Sequence, residues 1–166
     1  MKKIARFEKV SLAQFVQDMR QAFPTYPEEA LRRAWEQLEL PKRATSGSAG
    51  HDFRLPVSVQ VNGNEHVVVP TGIRCVMQPG WVLMLFPRSS LGFRYQMRLD
   101  NTAGIIDEDY YGAENEGHII ICFTAEKTLQ LPAGSAFAQG VFLPYGICED
   151  DEADLVRQGG FGSTGN

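Results

Sequence analysis

The stretch VSVQVNGNEHVVV, residues 57–69, sets two short runs rich in valine on either side of Asn62-Gly63-Asn64. Val57, Val59 and Val61 alternate with Ser58 and Gln60, which is the period of a strand with one buried face. Asn-Gly between two such runs signals a hairpin, because both residue types accept the left-handed backbone that a tight turn demands. The same texture extends outward. Trp81 to Phe86, Tyr95 to Leu99, His118 to Phe123 and Ala136 to Leu143 are further short runs separated by Gly, Pro, Asn and Asp. Many short strands with few helices predict an all-β chain, a β-sandwich or jelly roll closed by regular hairpins.

Toward the N-terminus the period changes. Ser11-Leu12-Ala13-Gln14 fits a capping box, and Leu12, Phe15, Val16, Met19 and Phe23 then recur on one helical face, predicting a helix from about Ser11 to Ala22. Pro24 and Pro27 interrupt it, Ala30, Leu31, Ala34, Trp35 and Leu38 mark a second apolar stripe, and Pro41 closes that. The chain therefore divides into a helical addition over 1–40, a β core over 41–148, and an acidic linker with a glycine-rich tail over 149–166.

The totals exclude several functions. At 166 residues the chain suits one domain with appendages, and a net charge of −4 disfavours a duplex nucleic-acid surface, so a polyanion would need a local basic pocket. Cys75, Cys122 and Cys148 are odd in number and far apart, which argues against a disulfide framework or zinc site and predicts a reducing, cytoplasmic setting. No run has the length of a signal-peptide core or membrane span, predicting a soluble protein with no membrane partner. His51, His66 and His118 lack metal-ligand spacing and are assigned structural or surface roles; no Walker loop or nucleophile elbow occurs.

Five stretches carry chemistry. Phe86-Pro87-Arg88-Ser89-Ser90-Leu91-Gly92 offers a guanidinium fork and two hydroxyls, suited to phosphate oxygens or to an ordinary surface turn. In Asn101-Thr102-Ala103-Gly104-Ile105-Ile106-Asp107-Glu108-Asp109-Tyr110, the isoleucines would partly bury Asp107, making it a candidate general base, with Glu108 and Asp109 as alternatives. Ala49-Gly50-His51-Asp52 places one carboxylate after small residues. Gln139 interrupts an apolar run and must find a partner or face a ligand. Near the end, GFGSTG (160–165) has the spacing of a dinucleotide loop, yet only Asn166 follows where the helix that would hold a pyrophosphate belongs.

In this order, Ala49 to Asp52, Pro87 to Ser90, Asn101 to Tyr110, Gly134 to Gln139 and Arg157 to Gly165 resemble the five motifs of the trimeric dUTPases, from about Pro41 to the C-terminus. The resemblance implies a jelly-roll homotrimer with active sites shared between subunits. It would cleave dUTP to dUMP and pyrophosphate with Mg²⁺, limiting uracil in DNA and supplying dUMP for thymidylate synthesis. Asp107 would be the base that activates water for attack on the α-phosphorus. Tyr110 would lie against the deoxyribose where a 2′-hydroxyl would clash, and Asn101 with main-chain groups near Gly104 and Ile106 would read the uracil edge. Arg88, Ser89, Ser90 and Gln139 would hold the phosphates, and Asp52 would orient waters of the Mg²⁺. Arg157 would reach the γ-phosphate, while Phe161, Gly162, Ser163 and Thr164 would form a lid, the Phe on uracil and the others on phosphate.

Three departures stand out. Ala136 occupies the place of the usual fourth-motif Arg, Arg157 lies one residue closer to Phe161, and the third motif runs on through Tyr111-Gly112-Ala113-Glu114-Asn115-Glu116-Gly117. With the helical N-terminus, these features resemble the branch from Gram-positive bacteria and their phages. Two alternatives are a regulatory nucleotide-binding protein of this fold, with a protein partner not identified, and a dCTP deaminase. The second is disfavoured because His118 to Phe123 carries no acid.

Overall fold

The computed structural model describes residues 2–153, so Arg157, Phe161, Gly162, Ser163 and Thr164 lie outside the described residues. The strands are β1 (Ala5–Lys9), β2 (Lys42–Arg43), β3 (His51–Arg54), β4 (Val59–Val61), β5 (His66–Pro70), β6 (Ile73–Met77), β7 (Trp81–Pro87), β8 (Arg98–Leu99), β9 (Gly104–Ile106), β10 (Ile120–Thr124), β11 (Leu129–Leu131) and β12 (Ala136–Pro144). The helices are α1 (Leu12–Ala22), α2 (Glu28–Gln37) and α3 (Ser89–Tyr95), with a 3-10 turn at Glu108–Gly112.

Residues 51–70 run antiparallel to residues 120–140 as one bent ribbon. β3 pairs with β12, β4 with β11 and β5 with β10, and the register is unbroken from Leu131↔Val59 to Ile120↔Pro70. Main-chain bonds carry the ladder around its corners, from Asn64 N to Ala125 O at 2.8 Å and from Leu55 N to Ser135 O at 2.9 Å. A ribbon folded at successive corners builds a β jelly roll.

The expected hairpin at Asn62-Gly63-Asn64 is a corner instead. Asn62 N and Nδ2 donate to Glu65 Oε2 at 2.7 and 3.0 Å, and Asn64 takes φ 67°. A Cβ on Gly63 would lie 2.6 Å from Glu126 O, because the bend of the partner strand packs directly on it. The turn chemistry is that of a hairpin, but longer-range pairing sends β4 and β5 to different partners.

A five-stranded sheet in the order β2-β3-β12-β7-β9 positions the site. β12 pairs with β7 from Ala138↔Pro87 to Pro144↔Trp81, and β9 lies on the other edge of β7 with Leu83↔Ile106 and Leu85↔Gly104. Phe53, Leu83, Leu85, Phe123 and Phe137 fill the core between the layers. The expected strand Tyr95 to Leu99 shrinks to β8. Its first residue ends α3, where Gln96 takes φ 51° and its N–H bonds back to Gly92 O and Leu91 O.

The first residues also differ from the helical reading. Ala5–Lys9 pairs with β6, and Phe7 packs its ring 5.6 Å from Phe53 and 5.7 Å from Phe142. The two helices follow where the apolar stripes place them, burying Phe15, Val16, Met19 and Leu31 with Val10 and Val57. Only half of the capping box is local. Ser11 Oγ accepts from Gln14 N at 3.1 Å, but the Ser11 N–H donates to Glu116 Oε2 at 2.7 Å, while the Gln14 side chain turns to Asp18.

Candidate active site

Strand register assembles the phosphate-binding candidates. Asp52 on β3 stands opposite Gln139 on β12, which stands opposite Phe86 on β7, and Arg88 follows the end of that strand. Arg88 Nη1 donates to Asp52 Oδ2 at 2.5 Å, with the side chains 37% and 16% exposed. A charge-assisted bond at a partly open edge fixes the guanidinium while leaving donors free for an incoming anion. Gln139 Nε2 donates to Pro87 O at 3.3 Å, and Gly50 packs on the same amide: a Cβ there would lie 2.4 Å from Gln139 Oε1 and push it aside. Ser89 and Ser90 open α3, both exposed beside Arg88.

The third-motif candidates run along β9 and beyond it: Gly104 pairs with Leu85 in mid-strand, and Asp107 and Tyr110 come after Ile106, toward the Trp81 end of β7. Asp107 is half-buried and precedes the 3-10 turn, its carbonyl accepting from Tyr110 N at 3.2 Å. Glu108, an alternative acid, accepts from Gly80 N at 2.7 Å and thereby braces the β6–β7 turn. Tyr110 is only 4% exposed, and its hydroxyl donates to His118 O at 2.9 Å. Asn101 and Gly104 line one cavity of about 360 Å³ with Leu85, Leu99, Ile121 and Cys122. A Cβ on Gly104 would meet Leu85 at 3.0 Å, which accounts for the glycine; the Ile106 side chain belongs to the core.

These two groups are well separated within one chain. Asp107, next after the partner of Leu83, falls toward Val82, and Arg88 follows Pro87; the six residue steps from Val82 to Arg88 span about 20 Å of extended chain. Ala136, where an Arg was expected, pairs with Arg54, whose Nη1 donates to Gly134 O at 2.8 Å. Among the described residues no group of three or more His, Cys, Asp or Glu could hold a metal ion. The histidines take structural positions: His51 half-buried against Phe142, His66 paired with Asp100, and His118 fully buried. Sequence reasoning missed the network around His118. The one local signal was an imidazole abutting an all-apolar strand, where a buried polar ring needs partners.

A forked cation, hydroxyls and an amide at one end of a strand, and a half-buried carboxylate toward the other, are groups that a jelly-roll nucleotide hydrolase would use. The dUTPase family pattern matches residues 36–165, and the chain belongs to that family. The chain is 39% identical over 134 residues to the deoxyuridine 5'-triphosphate nucleotidohydrolase of Lactococcus lactis, covering 77% of this chain and 89% of the relative. The crystal structure of dUTPase from Streptococcus mutans matches with 34% identity and a TM-score of 0.64, over 86% of this chain and 98% of that one. A dUTPase from phage phi11 of S. aureus, described with a structural Mg(II) ion, shares the fold at 16% identity and a TM-score of 0.65, over 92% and 98% of the chains. The activity is hydrolysis of dUTP. No described helix is long and apolar enough to cross a membrane.

Proposed function

We propose that this chain hydrolyses dUTP to dUMP and pyrophosphate at a site completed by a second subunit, with Asp107 as the base. The separation of Asp107 from Arg88 along β7 carries this reading. The α-phosphorus must stand beside the base while the same phosphate chain meets Arg88, Ser89, Ser90 and Gln139, and about 20 Å exceeds the spacing of neighbouring phosphates. A homotrimer whose subunits contribute opposite ends of β7 meets both demands. Phe93, Ile105 and Ile147 leave 86%, 56% and 75% of their surface exposed, which suits burial between subunits.

Asp107 takes the proton of a water as its oxygen bonds to the α-phosphorus; the bond from phosphorus to the bridging oxygen breaks, and that oxygen leaves on pyrophosphate. Asn101 and the main chain near Gly104 and Ile106 read the uracil edge, and the Tyr110 ring excludes a 2′-hydroxyl. Arg157, Phe161, Gly162, Ser163 and Thr164 cover the bound nucleotide. A lone carboxylate at Asp52, already fixed by Arg88, fits Mg²⁺, which keeps several waters and takes its other ligands from substrate phosphates. That ion would supply neutralisation of the triphosphate charge. Three unpaired cysteines suit a reducing cytoplasm.

Pyrophosphate release with Mg²⁺ from dUTP, dCTP, dTTP and UTP tests the substrate; equal use of UTP would reject the sugar reading. Asp107→Asn should lower kcat about 10²–10⁴-fold with nucleotide binding retained. Mixing Asp107→Asn with Arg88→Ala protein, each nearly inactive, should restore activity after subunit exchange. No recovery once exchange is verified rejects the shared site.

A further inference from the structure

The segment from Tyr110 to His118 is tied to the N-terminal elements at three places. Beside β1, Tyr111 Oη donates to Glu8 Oε2 at 2.8 Å. At the start of α1, Glu116 accepts from Ser11 N and from Ser11 Oγ, both at 2.7 Å. Inside the protein, the fully buried His118 faces Asp18 of α1, with Nδ1 and Oδ2 2.5 Å apart. The second ring nitrogen decides where the proton lies. Nε2 accepts from the Gly72 N–H at 2.7 Å, so the imidazole is neutral and its Nδ1–H is donated to Asp18.

The main chain of His118 in turn holds the Tyr110 hydroxyl. Its carbonyl accepts from Tyr110 Oη at 2.9 Å and from Asn115 Nδ2 at 3.3 Å, and its N–H donates to Asn115 O at 3.1 Å. Asn115 Nδ2 also donates to Tyr110 Oη at 2.9 Å. One residue thus joins helix α1, the turn at Gly72 and the Tyr110 hydroxyl.

We propose that Asp18 and His118 are positioning residues for sugar selection: α1 fixes His118, His118 fixes the Tyr110 ring, and the ring's placement sets discrimination against a ribonucleotide. The inference rests on the reading of Tyr110 as the sugar filter. Steric rejection of one oxygen works only if the rejecting ring cannot recede, and a shift of about 1 Å is enough to weaken it. The extended third motif and the N-terminal helices then share one task, since each supplies half of the clamp.

The test is kcat/KM for dUTP and for UTP, measured on the full chain well below its thermal midpoint. Asp18→Ala should lower the dUTP-to-UTP ratio about tenfold. Asp18→Asn, which keeps an oxygen to accept the Nδ1–H, should return the ratio to within about twofold of the parent. Tyr110→Leu, which removes the ring, should relax the ratio through the filter itself. If Tyr110→Leu relaxes the ratio and Asp18→Ala leaves it unchanged, the helix serves stability alone and the inference is overturned while the filter stands. An unchanged ratio in both overturns the filter reading and the inference together. Should Asp18→Ala fail to fold, the partly exposed pair Ser11→Ala with Glu116→Gln gives the same readout, expected to fall about threefold; no change there overturns the proposal.

Discussion

The two ends of β7 are built by different means. The Arg88 end follows from strand register: Asp52, Gln139 and Phe86 are set side by side by ladder bonds, and one ion pair completes the arrangement. The Asp107 end has only three ladder pairs, and its turn is held by side chains from β1 and α1, more than ninety residues away in sequence. A site made by register tolerates changes in distant elements. A loop made by long-range contacts answers to them, so the N-terminal addition belongs to the energetics of the third motif.

The largest effect that separates the ends is expected at Gly72, where the clamp crosses the main chain. Its φ is +75°, its N–H donates to His118 Nε2, and its carbonyl accepts from Val10 N at 3.0 Å. A Cβ there would stand 2.3 Å from Leu38 Cδ1 and 3.2 Å from Phe15. Gly72→Ala should cost about 2–4 kcal/mol, from left-handed backbone strain plus displacement of those side chains. Thermal unfolding reads it, and an unchanged midpoint would show that neither the left-handed backbone at Gly72 nor the packing of Leu38 and Phe15 on it holds in solution.

Arg88→Lys should give the opposite profile. A lysine keeps the charge but not the planar fork, so KM for dUTP should rise about tenfold with a smaller change in kcat. The thermal midpoint should barely move, because a partly exposed ion pair contributes little to stability. A large loss of stability with unaltered KM would mean that the Arg88–Asp52 pair is structural and that the phosphates are held elsewhere.

The difference between the ends also decides what could be read from the chain. Both helices were legible because Phe15, Val16 and Met19, then Leu31, carry the 3.6-residue period. The five-residue β1 was not, since β6 supplies its ladder and no local period marks it. Asn62-Gly63-Asn64 was read correctly as a turn and wrongly as a hairpin, because turn chemistry specifies a bend and not the partner of the strand that follows. Asp52, Arg88 and Asp107 were visible as motif residues, but their separation along β7 appears only once register is known. His118 was the least legible, for its meaning lies in Asp18, 100 residues away.

Acid should part the two ends gently, beginning with the N-terminal contacts. Glu8 is held below the ordinary 4.5 by hydrogen bonds from Arg6 and Tyr111. Burial alone would raise Asp18, yet hydrogen bonds from His118 and Gln14 outweigh it and leave the carboxyl below the ordinary 3.8. Burial likewise opposes ionisation at Glu116, and the Ser11 N–H and hydroxyl outweigh it. Because all three are depressed in the folded chain, their contribution is complete above the ordinary carboxylate range and is lost as pH falls through the lowered folded values. Amide exchange from pH 6 down to pH 3, corrected for the intrinsic rate, should therefore show early loss of protection in α1 while β7 and β12 stay protected. Asp18→Asn should remove part of that pH dependence, since the amide cannot titrate, and simultaneous loss of protection in α1 and β12 would show that the clamp and the sheet open as one unit.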